Sequence, residues 1–299
     1  MTAKIVVVGS FNADLVSYME RMPRPGETVH GERFATGAGG KGSNQAVAAA
    51  RLGADVSFIG RLGNDVFANL AYEIWDAEGV NYDFVNRDGE VATGVAPILV
   101  DSSGENMIVV VLGANERLRR SDIDAARERI AAADMLVVQL EVNLEMVPYA
   151  LKAAKEFGVA TILNPAPAAP ISPETIQLAD YLTPNETELE TLTGGADDVV
   201  SAARALLTRD DQTAIVTLGA KGAQIVTPDD ARLVPTFAVD VVDTTGAGDT
   251  FNAALAVGLS EGMTLERAVR FANAAAALCV TKPGAADSVP GRADVDALL

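Results

Sequence analysis

Along the chain, short apolar runs rich in β-branched residues alternate with longer segments whose apolar positions recur at helical spacing. KIVVVG (4–9), DVSFIG (55–60), DMLVVQLE (134–141), VATILN (159–164), DYLTPN (180–185) and TAIVTLG (213–219) predict buried strands. Helix-length segments lie between them at 43–52, 64–78, 121–132, 144–157, 186–193 and 197–208, and residues 247–281 predict two Ala-rich helices. This alternation predicts an α/β fold, a mostly parallel central sheet with helices on both faces. Such sheets bind ligands beyond the carboxyl ends of their strands. The residues to inspect are therefore Asn12 and Asp14, Glu141, Asn164, Asn185 and Thr217–Gly222.

Two segments break the rhythm. DLVSYMERM (14–22) leads into PRPGETVHGERF (23–34), and TGVAPILVDSSGENMIVVV (93–111) reads as two strands joined by the turn-forming DSSG. Strands without intervening helices predict a small β-sheet lying over the main one. We expect it to act as a lid, with an exposed face that invites dimerisation. Edge strands with no further role are the plainer alternative. The expected division is a core of residues 1–13, 38–92 and 112–299 and a β lid of 14–37 and 93–111.

Composition narrows the partners. The chain has 299 residues, 49% hydrophobic and 21% charged, as in a globular protein. Its 23 Lys+Arg against 41 Asp+Glu give a net charge of −18, which disfavours nucleic acid and anionic membrane. No apolar run has the length of a membrane span and no N-terminal signal pattern occurs, so the expected location is cytoplasmic. One cysteine, Cys279, excludes an internal disulfide, and one histidine, His30, removes most metal sites and Ser-His arrangements.

Three familiar patterns occur out of context. Gly37–Gly42 satisfies G-x-G-x-x-G but follows the lid segment rather than the first strand, and it fails as a P-loop with Ala35 and Gly42 at the wrong places. Gly258–Gly262 matches G-x-S-x-G but sits where a helix ends. The glycines at 37–42 nevertheless allow close approach of a ligand to the backbone. With Lys41 and Asn44 alongside, a backbone nest there suits a small polyhydroxyl or phosphate ligand. A tight turn with a helix cap explains the glycines equally well.

DTTGAGDTFN (243–252) places two carboxylates around a glycine turn ahead of an apolar helix. Gly246, Ala247 and Gly248 can converge their N–H groups at that helix start, a ready anion site. A carboxylate inside such a site, Asp249, repels the anion unless it takes a proton from a hydroxyl that attacks a bound phosphoryl group. Helix capping is the bland reading of Asp249. Asp243 is too far upstream to cap the same turn and, beside Thr245, is better placed to hold a cation under the loop.

GAGGKGSNQAVAAARLGA (37–54) and DTTGAGDTFNAA (243–254) resemble the two signatures of the PfkB carbohydrate kinase family. GSFNAD (9–14), PRPGETVHG (23–31), GENMIVVVLGAN (104–115), QLE (139–141), NPAPA (164–168), TPNETE (183–188), TLGAKG (217–222) and FANAAAALCVTKPGAADSVP (271–290) are most similar to its ribokinase members, so the resemblance runs from residue 9 to 290. It implies an ATP-dependent phosphotransferase acting on a pentose, D-ribose first. In that case Asn12, Asp14, Gly40, Lys41, Asn44 and Glu141 hold the sugar, and Asp249 activates its primary hydroxyl. Gly246–Gly248 receive the γ-phosphate. Asn185, Thr217, Leu218, Gly219, Ala220, Lys221, Gly222, Gly248 and Asn273 line the ATP site. Glu188 holds Mg2+ through water, and Asp243, Thr245, Cys279, Lys282, Gly284 and Ser288 surround an activating K+, some through backbone carbonyls. The segment AYEIWDAEGV (71–80) carries no match, and Ala68 stands where a glycine is expected. Other family activities, on deoxyribose, another furanose or a nucleoside, remain open, as does a non-catalytic sugar- or nucleotide-binding regulator. A dehydrogenase would rest only on the misplaced glycines.

Overall fold

Strand β1 (Lys4–Val8) is apolar on both faces: Ile5 and Val7 join one buried cluster, Val6 and Val8 another. A strand of that kind must be covered from both sides, as in a parallel sheet sandwiched between helices. The computed structural model describes residues 2–195 and 198–299 and has that architecture. After β1 come β2 (Asn12–Tyr18), β3 (Arg33–Gly39), α1 (Lys41–Arg51), β4 (Asp55–Gly63), α2 (Phe67–Glu78) and β5 (Asn81–Asp88). The strands β6 (Gly94–Val100) and β7 (Asn106–Ile108), the short helices α3 (Arg120–Ala125) and α4 (Arg127–Ala131), β8 (Met135–Val138), α5 (Met146–Glu156) and β9 (Ala160–Leu163) follow. Next are α6 (Pro173–Leu178), β10 (Tyr181–Leu182), α7 (Glu186–Thr193), α8 (Val199–Leu206) and β11 (Thr213–Thr217). The chain ends with β12 (Ala223–Val226), β13 (Ala231–Val234), α9 (Ala247–Ser260), α10 (Leu265–Cys279) and α11 (Arg292–Leu298).

The main sheet runs β13-β12-β11-β10-β9-β8-β1-β4-β5, parallel except at β12 and β13. Residues of α1, α2, α9 and α10 form the cluster on one face, centred on Phe11, Phe58, Trp75 and Phe271; residues of α3, α5, α7 and α8 pack on the other. Trp75 lies edge-on to Phe11 and donates from Nε1 to Ser43 Oγ at 3.0 Å, which ties α2 to the first turn of α1. The second sheet, β3-β2-β6-β7, is mixed: β2 pairs antiparallel to β3 and parallel to β6. Phe34, Met107, Ile108, Val109, Val110 and Val111, in or next to its strands, are exposed. No helix among the described residues is long and apolar enough to cross a membrane.

Several details depart from the sequence reading. The expected helix 121–132 breaks at Ala126, whose φ of −98° and ψ of 8° leave the helical well. Asp197, at the head of the expected helix 197–208, lies outside the described residues, and the helix proper starts at Val199 with the Asp198 side chain accepting from Ser201 N. FAVDVV (237–242) looks like a strand but joins no sheet; Val241 and Val242 are 63% and 62% exposed. Edge strands β5 and β13, and β12 between β13 and β11, escape notice because polar or half-exposed residues interrupt their apolar pattern.

Candidate active site

The C-terminal ends of β1, β8, β9, β10 and β11 deliver Ser10 and Asn12, Gln139 and Glu141, Asn164, Asn185 and Thr217 to one edge of the main sheet. Two helices point their N-termini at that edge. Helix α1 starts at Lys41 behind Gly40, whose φ of 87° and lack of a side chain are both required: a Cβ there would lie 2.7 Å from Asn12 N and from Phe11 Cα. Ser43, Asn44 and Gln45 thus lie in the first turns of the helix, and no side chain caps it.

Helix α9 starts behind Gly246, at φ 77°, whose Cβ would meet Ala285 Cα at 3.0 Å. Gly248 is different. Nothing lies within 4 Å of where its Cβ would be, and its φ is not positive. The fold itself therefore does not need a glycine at 248.

Asp249 is buried in the first turn of α9 and makes no capping bond, so capping does not explain it. Its Oδ2 accepts from Asn44 Nδ2 at 3.0 Å and its Oδ1 from Gln45 Nε2 at 3.1 Å. Burial pushes its pKa up; Lys41 and the Asn44 bond pull it down, Glu141 adds to the rise, Gln45 opposes it, and the net direction is upward. A carboxylate so placed is a stronger base than one in water.

The rest of the pocket is bound to the same helix start. Glu141 Oε2 accepts from Ser10 Oγ at 2.6 Å, Lys41 N at 3.1 Å and Asn12 Nδ2 at 3.3 Å. Asn115 Nδ2 donates to Asn12 Oδ1 at 3.0 Å and locks its amide orientation. Asp14 faces Gly39, where any Cβ would overlap its carboxylate. Burial, with the charges of Glu141 and Asp249, lifts the Asp14 carboxyl to about 7. Burial disfavours the Lys41 ammonium, but Asp249, Glu141 and Glu188 outweigh it and its pKa is raised. Three acids and a lysine thus converge beside an open helix N-terminus.

Asn185 and Glu188 form a reciprocal cap on α7: Glu188 N donates to Asn185 Oδ1 at 2.8 Å and Asn185 N to Glu188 Oε2 at 2.9 Å. Glu188 still senses the charges of Lys41 and Asp249, which places it beside the pocket. No cluster of three or more His, Cys, Asp or Glu suited to a metal exists among the described residues.

The turn Thr217–Gly222 packs on residues 234–236: a Cβ on Gly222 would lie 2.7 Å from Thr236 N. Asn273 Nδ2 donates to Val234 O at 2.9 Å, so the side chain braces the same segment. Asp243 Oδ1 accepts from Thr245 N and Oγ1 at 2.9 and 2.7 Å, and its Oδ2 from Gly284 N at 2.9 Å. Burial works against its charge, these donors outweigh it, and its pKa is lowered. Cys279 Sγ lies 3.0 Å from Ser288 Oγ and 3.8 Å from Thr245 O. Residues 243–245 and 279–288 are therefore laced together. Lys282 belongs to the same turn, its N–H donating to Cys279 O.

Sequence reasoning missed Ser10, Gln45, Asn115 and Gln139 as members of this network; placement just past β1 and β8 was the available signal for Ser10 and Gln139, while Gln45 lies inside α1 and Asn115 in the turn at 113–117.

A family model for pfkB family carbohydrate kinases matches residues 2–292. Among curated relatives, a ribokinase of Haemophilus influenzae is 42% identical over 98% of this chain and 97% of its own. A deoxyribokinase of Salmonella typhi is 40% identical over 96% of this chain and 95% of its own. Among solved structures, an Arabidopsis thaliana ribokinase complexed with ribose and ATP superposes with a TM-score of 0.90 at 38% identity, over 100% of this chain and 99% of that one. The chain belongs to the pfkB family of carbohydrate kinases.

Proposed function

We propose that the protein is an ATP-dependent ribokinase, transferring the γ-phosphoryl group of ATP to O5 of D-ribose to give ribose 5-phosphate and ADP. The observation that carries this reading is Asp249, buried and uncapped in the first turn of α9, beside a Gly248 that the fold itself does not require. Asp249 takes the proton of the primary hydroxyl as that oxygen bonds to the γ-phosphorus. The bond from phosphorus to the β–γ bridging oxygen breaks, and ADP leaves with the electron pair. The N–H groups of Gly246, Ala247 and Gly248, with the dipole of α9, stabilise the charge spread over the transferring group. Lys41 adds a positive charge between base and phosphates.

Asn12, Asp14, Asn44 and Glu141 supply donors and acceptors for neighbouring sugar hydroxyls, with Gly40 and Lys41 closing one side. Asn185, Thr217–Gly222 and Asn273 line the nucleotide site. Magnesium, held through water by Glu188, would lower the charge on the phosphates. Potassium held by Asp243, Thr245 and the carbonyls of Cys279, Lys282, Gly284 and Ser288 would stiffen the loop leading into the anion site. The small sheet, residues 14–37 and 93–111, would cover the sugar, and its exposed apolar side chains would be buried by a second copy, giving a cytoplasmic homodimer.

Ribose is preferred over 2-deoxyribose here on the strength of the ribokinase relative at 42% identity and the neighbour complexed with ribose and ATP, against the deoxyribokinase at 40%. ADP release measured on ribose, 2-deoxyribose, arabinose, fructose and adenosine, with Mg2+ and K+, tests the reading. Ribose should lead; a lead for 2-deoxyribose would move the substrate, and no turnover on any sugar would reject the kinase.

A further inference from the structure

Gln45 and Gln139 belong to none of the sugar, nucleotide or cation sites above, yet they are 1% and 0% exposed. Gln45 Nε2 donates to Asp249 Oδ1 and to Asn164 Oδ1, each at 3.1 Å, and Gln45 Oε1 accepts from Gln139 Nε2 at 2.5 Å. The order of donors is forced. A flipped Gln45 would turn its carbonyl oxygen onto a carboxylate oxygen and an amide oxygen, and the orientation of Gln139 follows from that of Gln45.

The second observation concerns the far half of the Gln139 amide. Its Oε1 is buried without a hydrogen-bond partner. Space for it exists because residue 9 is glycine: a Cβ there would overlap that oxygen and lie 2.6 Å from Gly42 Cα. A half-satisfied buried amide costs stability that an apolar side chain of equal length would not. Packing alone gives no reason for a glutamine at this position; the bond to Gln45 does.

We propose that Gln139 and Gln45 form a positioning relay that fixes the plane of the Asp249 carboxylate for proton transfer. The proposal rests on the reading of Asp249 as the base. Asn44 on Oδ2 and Gln45 on Oδ1 stop the carboxylate from rotating, and each oxygen keeps a lone pair for a substrate hydroxyl. Neutral amides also favour the anion without offering a proton of their own. That matters here because the charged groups facing Asp249 are Lys41 from α1, Glu141 beyond β8, Asp14 from β2 and Glu188 from α7, three acids against one base.

The test is kcat and KM against pH for the intact enzyme and for Gln139→Met, Gln45→Met and Asp249→Asn. Gln139→Met removes one unpaired oxygen but leaves Gln45 Oε1 without its donor, so its stability should stay close to that of the wild type. Its kcat should fall about tenfold, and that of Gln45→Met about 100-fold, as expected for a misplaced reacting group. Sugar KM should stay within about threefold, and the acid limb of kcat should move up by about one pH unit in Gln45→Met, since a lost bond to the anion raises a carboxyl pKa. A purely structural role would lower melting temperature and leave the limb in place. Folded Gln139→Met with wild-type kcat and an unshifted limb, beside an inactive Asp249→Asn, overturns the relay and spares the base. If Gln45→Met does not fold, Gln139→Met decides by the same criteria. An Asp249→Asn variant with normal turnover removes both.

Discussion

Asp14 faces the carboxyl groups of Glu141 and Asp249, which in turn face the Lys41 ammonium, and each of the three pays for its position in a different way. Glu141 accepts three donors, Asp249 accepts two amides, and Asp14 is left with a carboxyl lifted to about 7. Its unfolded value is the ordinary 3.8, so between pH 4 and 7 the folded state holds the proton more tightly. The contribution of Asp14 to stability is full below pH 4 and is lost as pH rises through 7. Asp14→Asn, which carries no charge to bury, should therefore gain on the wild type as pH rises. The stability difference, from urea unfolding without ligand, should grow by on the order of 2 kcal/mol between pH 5 and pH 8. A difference that is constant with pH would show that the carboxyl is ionised at little cost. The same substitution should weaken sugar binding.

Helices α1 and α9 meet with their N-termini at the same place, and their glycines serve opposite ends. A Cβ on Gly42 would lie 2.6 Å from both Gly9 Cα and Ser10 N, backbone atoms that cannot yield cheaply. Gly42→Ala should destabilise the protein by about 1–3 kcal/mol, read as a lower melting temperature. Gly248→Ala adds a methyl group to open space, so its melting temperature should match the wild type while turnover falls by about 100-fold or more. Equal losses of stability in both variants would refute the division of roles. Much of this site was legible in the sequence: both glycine runs, Asp249, and the strand-end polar residues stood out against apolar surroundings. Gln45 and Gln139 did not: Gln45 stands early in an Ala-rich helix and Gln139 inside a run that reads as a buried strand, and neither position by itself points to a site. Only the three-dimensional crossing of α1 with the end of β8 buries them together.

At the scale of the whole molecule, the strand-helix rhythm was enough to predict the covered parallel sheet, because central strands are apolar on both faces. It failed where tertiary contacts rather than pattern decide: at the polar edge strand β5 and at the hairpin β12–β13. A net charge of −18 means that any added salt should stabilise the fold by screening self-repulsion. A cation site at Asp243 predicts more: KCl should raise the melting temperature and turnover above NaCl at equal ionic strength, and Asp243→Asn should erase that difference. Equal effects of the two salts would leave only screening. Phosphoryl transfer by this protein depends on one proton acceptor at the start of α9. The most direct measurement is ribose-dependent ADP release by Asp249→Asn, made alongside calorimetric titration with ribose. Turnover should fall by about 1,000-fold or more with ribose still bound, since asparagine keeps the shape but cannot accept the proton. Turnover within a few-fold of the wild type would contradict that dependence.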